Sequence, residues 1–204
     1  ALLKDMDQPL GSAIGNALEV REAIQLLSGK IPPKDPLYMV SMELASYMLM
    51  LCKRIDREEA KRQSVDAVQS GAALTKLREI LIAEGTDPAY LSLDGIEPLC
   101  RVKNRIPVAA QESGYIEKIY TEQLGRAAQL LGAGRMVKED VIDPAVGIVM
   151  EKRLGDNVRQ GETLCTVHVN CGDNFADAKR MILDSVVIGK TVPQNTKLIH
   201  QVIM

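Results

Sequence analysis

Few side chains in this sequence could do polar chemistry unaided. Its two histidines, His168 and His200, and its four cysteines, Cys52, Cys100, Cys165 and Cys171, are scattered along the chain. A zinc site draws on such groups at short spacings. No C-x-x-C pair occurs, so the cysteines read as free thiols of a reducing compartment. His168 closes an apolar run and His200 has no carboxylate near it in sequence, so both read as hydrogen-bonded or surface residues. Glu139, Asp140 and Asp143 cluster, but their spacing fits no ligand motif, and capping and turn formation account for them. Asp173 reads as the start of a helix, and Lys190 and Lys197 as solvated. The backbone offers more. Residues 5–15 carry Pro9, Gly11 and Gly15, an irregular stretch whose carbonyls no helix consumes.

The elements that must hold these groups follow from periodicity and caps. Residues 1–6 form a short apolar strand candidate. Asn16 supplies an N-cap and Glu19 the acid three residues on, a capping box. The helix it opens carries Val20, Ala23, Ile24 and Leu27 on one face and stops at Gly29. Asp35 caps a second helix with Pro36 at its first position. Its interior, residues 37–52, is apolar nearly all round, which predicts burial. Asp56 with Glu59 caps a third helix, and a fourth spans about 72–84 with Leu74, Leu77, Ile80 and Leu81 facing inward. From Arg101 the pattern shortens to strands at 106–110 and 115–120. A helix follows with Leu124, Ala127, Ala128 and Leu131, ending in Gly132-Ala133-Gly134. Strands at 147–151 and 163–169 come next, linked by turns at Gly155-Asp156 and Gly161-Glu162. A helix over 174–184 and strands near Val186 and Leu198 complete the chain. The pattern predicts an α+β protein, mostly helical over residues 1–97 and mixed over 98–204.

Composition narrows the function classes. The 204 residues are 46% hydrophobic, enough for a sizeable core, although Trp is absent and Phe175 is the single Phe. Formal charge is −2, with 25 basic and 27 acidic residues well mixed. The richest basic stretch, residues 53–62, is interrupted by Asp56, Glu58 and Glu59, so nucleic acid is not an expected partner. No run of 18 apolar residues occurs and the start has no basic region before an apolar one, which predicts no membrane span and a cytoplasmic protein. Opening on Ala1-Leu2-Leu3 reads like the inside of a strand and predicts a piece of a longer chain.

Three segments carry a resemblance. Residues 5–11 (DMDQPLG) with 15–20 (GNALEV), residues 131–135 (LGAGR) with 138–143 (KEDVID), and residues 145–149 (AVGIV) with Gly155-Asp156 and Gly161-Glu162 occur in that order. Jointly they resemble the carboxyl-terminal part of the pyrimidine-nucleoside (thymidine-type) phosphorylases. The resemblance implies an enzyme that splits thymidine, uridine or deoxyuridine with phosphate, giving free base and a sugar 1-phosphate. It also implies a homodimer, and a fold in which one core strand and helices of the central α/β domain precede a mixed, hammerhead-like, barrel-sandwich domain.

In that family the phosphate sits in a Gly-, Ser- and Thr-rich loop with a Lys, and the base is held by an Arg, a Ser and a Lys. No such run occurs among the fifteen glycines here. In the family these motifs precede the DMDQPLG segment, so the chain alone is expected to be inactive and no catalytic residue is assigned. The resemblance further implies a potassium site. Its ligands map to the backbone carbonyls of Leu10 and Ala13 and to the carboxylate of Glu22, with the remaining ligands outside the chain and the ion expected to be absent from it. Exposed apolar surface on the first strand and second helix predicts self-association.

Two alternatives come from other classes. Gly114-Tyr115-Ile116 paired with residues 147–149 resembles the half-motifs of biotinyl and lipoyl carriers, with Lys138 as the sole candidate for modification. The other is a free-standing structural module.

Overall fold

The computed structural model describes residues 1–172, 174–193 and 197–203; Asp173 lies outside them. The strands are β1 (Leu2–Lys4), β2 (Ala13–Gly15), β3 (Asn104–Ala109), β4 (Gly114–Ile119), β5 (Gly147–Met150), β6 (Asn157–Val158), β7 (Thr163–Val169), β8 (Val186–Gly189) and β9 (Ile199–Val202). The helices are α1 (Asn16–Leu27), α2 (Pro36–Lys53), α3 (Arg57–Gln69), α4 (Ala72–Ala83), the single-turn α5 (Leu93–Ile96), α6 (Thr121–Ala128) and α7 (Phe175–Ser185). The chain is mixed α+β, and every pairing described between strands is antiparallel.

Two compact units are interleaved along the sequence. One comprises Ala1–Lys4, Arg21–Glu97 and the residues from Leu198 onward; the other comprises Asp5–Val20 with Pro98–Lys197. The ends change hands because β1 pairs with β9 whereas β2 pairs with β5.

In the first unit the helices begin where local chemistry dictates. The Leu37 N–H donates to Asp35 Oδ1 at 2.8 Å with Pro36 at the first position, and the Glu59 N–H donates to Asp56 Oδ1 at 2.9 Å. Each satisfies a donor that the first helical turn leaves over. α2 packs along α3, where Ala60 is fully buried and the Ser46 and Ser64 hydroxyls lie 3.4 Å apart. The all-round apolar character of α2 does not bury it: Val40 and Ser46 are its buried residues, while Met48 is 65% and Leu51 82% exposed. Apolar composition states what can be covered, and α3 covers one side only. The inward face expected of α4 also stays partly open, with Ile80 half exposed.

The second unit holds a four-stranded sheet of order β2-β5-β7-β3 and a three-stranded sheet of order β6-β4-β8. Both contribute to one apolar core: Val108, Ile148, Leu164 and Val167 from the first, Ile116, Val158 and Val186 from the second. α6 adds Leu124 and Ala127 to it, and α7 adds Ala178 and Ile182. β7, central between β5 and β3, is buried over most of its length.

The start of α1 differs from the expected capping box. Asn16 is already helical, and the Gly15 N–H donates to Glu19 Oε1 at 3.0 Å. Gly15, the residue before the helix, has a φ of +148°, which suits a residue without Cβ. The buried face is also shifted, to Ala17 and Leu18 in the second unit and Ile24 and Leu26 in the first, leaving Val20 43% exposed.

Candidate functional site

The first motif segment meets the other two, which adjoin one another in sequence, in the second unit. Freed from capping, the Asn16 amide donates to the Ala133 carbonyl at 2.7 Å. The Ala17 N–H donates to Pro144 O at 2.9 Å, and the Asp143 N–H to Gly132 O at 3.0 Å. Gly132 has φ +108°, which turns the chain out of the π-type turn that extends α6. Behind this junction β2 lies against β5 with Gly15 opposite Gly147. A Cβ on Gly147 would come within 2.3 Å of the Ile14 carbonyl oxygen and 2.9 Å of Leu18 Cδ1, so two bare backbones are what allow the contact.

The acids of the second motif are turn formers. Asp140 Oδ2 accepts from the Met136 and Val137 N–H groups at 2.8 and 3.0 Å, which holds its carboxyl below the usual aspartate range. Asp143 accepts from the Ala145 N–H at 3.0 Å and from Asn170 Nδ2 at 2.6 Å. Together these bonds hold the segment in shape. Between α1 and α6 lies an open cavity of about 470 Å³, lined by Gly15, Asn16, Glu19, Gly125, Gln129 and Gly134. Its one carboxylate, Glu19, is engaged by the Gly15 N–H.

The Pro/Gly loop is held from the β5–β6 connection. The Met150 N–H donates to Ser12 O at 2.8 Å and the Leu154 N–H to Gln8 Oε1 at 3.2 Å. Arg153 Nη1 donates to the carbonyls of Pro9 and Leu10, each at 3.3 Å, and Nη2 to Ser12 Oγ at 3.3 Å. Arg153 is half-buried, and its own N–H is fixed by Asp156 Oδ2 at 2.7 Å.

Of the residues that the resemblance points to, Leu10 and Ala13 lie in the second unit and Glu22 on α1 in the first. Residues of an antiparallel pair alternate between hydrogen-bonded and non-bonded positions. With Ser12 O accepting from Met150, the register Ala13↔Val149 turns the backbone groups of Ala13 away from β5. The Leu10 oxygen, by contrast, already takes a proton from a guanidinium. Among the described residues, no three of His, Cys, Asp and Glu are grouped to hold a metal ion.

The remaining polar candidates have structural settings. His168 is 4% exposed in β7, between Arg105 on β3 and Gly147 on β5. His200 is exposed on β9. Cys165 is buried, which pushes its thiol up to about 12, and the Cys100 thiol donates to Ala17 O at 3.4 Å. Lys138 is exposed in a turn between the end of α6 and β5, not on a tight hairpin between paired strands, so the carrier alternative gains no support. Sequence reasoning missed Arg153. Its loop partners lie more than 140 residues away, and only the pairing of β2 with β5 brings them together.

Comparison with known proteins accords with this geometry. Residues 115–189 match the family described as pyrimidine nucleoside phosphorylase C-terminal domain. The whole chain is 41% identical to the pyrimidine-nucleoside phosphorylases of Staphylococcus aureus strains MSSA476, MW2 and USA300 and covers 46% of each. The chain thus spans about half the length of the curated relatives it matches. No helix among the described residues is long and apolar enough to cross a membrane.

Proposed function

Since the chain belongs, by its matched domain and its full-length identity, to the carboxyl-terminal portion of the pyrimidine-nucleoside phosphorylase family, we propose that it serves the phosphorolysis of pyrimidine nucleosides. In that reaction phosphate displaces the base at C1′, leaving a sugar 1-phosphate. The catalyst must hold the anionic nucleophile near C1′ and neutralise charge developing on the departing base. The groups for both tasks are assigned outside residues 1–204, and no catalytic residue is placed within them. The chain supplies the support: a Pro/Gly loop clamped from behind and a helix start, α1, keyed to the Ala133 carbonyl.

The observation that carries this reading is the junction itself. The first segment of the family resemblance engages both others, through the Asn16 side-chain amide on the Ala133 carbonyl and through the pairing of Gly15 with Gly147. The division into a central-domain part (residues 1–97) and a hammerhead-like part (98–204) belongs to the same proposal. So do a cytoplasmic homodimer and nucleoside and phosphate as partners.

The potassium reading of Leu10, Ala13 and Glu22 is supported by the outward turn of Ala13, and hard cations do take oxygen ligands. A guanidinium already lies against the Leu10 oxygen, however, so the donor set as it stands does not fit an added cation, and no step is routed through one.

The test is phosphorolysis of thymidine and uridine by this chain beside a full-length relative, read by chromatographic release of free base. The relative is expected to turn over and the chain alone is not. Sugar 1-phosphate formed by the 204 residues unaided would overturn the assignment of the catalytic groups elsewhere.

A further inference from the structure

We propose that Arg153 is the resident cation of the loop at residues 8–12, standing in place of an alkali ion at the Leu10 carbonyl and fixing the loop to the β5–β6 connection. The inference holds whatever reaction the whole protein performs, because it concerns what binds and orients one cluster of oxygens.

The stoichiometry is apt. Nη1 of a guanidinium carries two N–H groups, and two carbonyls, Pro9 and Leu10, lie 3.3 Å from it. Nη2 reaches the Ser12 hydroxyl, also at 3.3 Å. A planar fork can serve three acceptors on one side of a loop, whereas an ammonium is a compact point charge with no fixed plane. The fork is also held from behind. The Arg153 N–H is bonded to Asp156, and the next residue, Leu154, donates to Gln8. The side chain is half-buried, which strengthens charge-assisted bonds relative to those in open water. A guanidinium is cationic, so an alkali ion on the Leu10 oxygen would face a neighbouring positive charge. Removing that charge should therefore create a demand for an external cation.

Thermal unfolding of the chain and of Arg153→Gln in potassium, sodium or choline chloride at equal ionic strength tests this. The unaltered chain is expected to melt at the same temperature in all three salts, within about 1 °C. Arg153→Gln is expected to melt lower in choline chloride and to regain at least half of that loss in potassium chloride alone. Arg153→Lys, which keeps the charge and loses the fork, should melt below the unaltered chain without acquiring the potassium response. If Arg153→Gln does not fold, the unaltered chain decides, supplemented by thallium-205 NMR with thallous ion as the potassium probe. A saturable potassium-specific rise in the unaltered chain, or a bound thallium signal on it, overturns the proposal. So does an Arg153→Gln variant that folds, melts low and ignores potassium, which would reduce the residue to an ordinary hydrogen-bond donor.

Discussion

Replacing Gly147 by alanine places one methyl group where two backbones touch. Its Cβ would stand 2.3 Å from Ile14 O, 2.9 Å from Leu18 Cδ1 and 3.2 Å from Gly15 Cα. Leu18 is fully buried and its tip can shift, but the Ile14 carbonyl is backbone in a paired strand and yields only if β2 moves off β5. Overpacking of this kind costs about 1–3 kcal/mol. The upper end applies here, about 3 kcal/mol, because the pairings of Ala13, Ile14 and Gly15 loosen together. For a unit of this size that corresponds to a fall in melting temperature of roughly 10 °C. Calorimetry of the chain, with amide exchange at Ile148 and Val167 reporting on the second unit, measures it. Gly125→Ala is the internal control. It lies in α6, exposed, with open space around the added methyl, and should stabilise by about 0.5–1 kcal/mol through helix propensity. A Gly147→Ala loss below about 0.5 kcal/mol would falsify the claim that close backbone approach at this pair requires glycine.

Two further expectations concern titratable groups. The Met136 and Val137 N–H groups lower the folded pKa of Asp140 below its unfolded value, so its contribution to stability is present above about pH 4 and fades as pH falls through the folded pKa. A carboxyl-carbon NMR titration should place the midpoint below that of Asp140 in the urea-unfolded chain, and a midpoint at or above it contradicts the assigned bonds. Among the thiols, exposed Cys52 and Cys171 should react with maleimide in the folded chain, and buried Cys100 and Cys165 only after unfolding. Rapid labelling of Cys165, whose thiol burial pushes up to about 12, would mean that the second core opens readily.

Much of the architecture was legible locally. The strand at Thr163–Val169 shows as a run rich in Thr and Val after the turn at Gly161-Glu162, and Asp35 followed by Pro36 marks a helix start whose side chain and backbone both comply. What stayed hidden depended on distant partners. β2 has three residues amid prolines and glycines, too few to show alternation, and becomes a strand only because β5 pairs with it. Asn16 and Glu19 satisfy the spacing of a capping box, yet Asn16 is diverted by a carbonyl 117 residues away. The motif segments themselves were visible in the sequence. That Arg153 clamps the first of them was not, because an arginine two residues before a turn glycine reads as an ordinary solvated side chain.

The pairing of β2 with β5 also restricts how this polypeptide can be divided. A gene segment beginning at Pro98 would encode most of the second core but omit the flank of β5, leaving its outward amides and carbonyls from Gly147 to Met150 bare. Such a naked border recruits foreign strands. Recombination that shuffles this half between proteins therefore has to carry the short DMDQPLG–GNALEV stretch with it, although the whole of Arg21–Glu97 stands between.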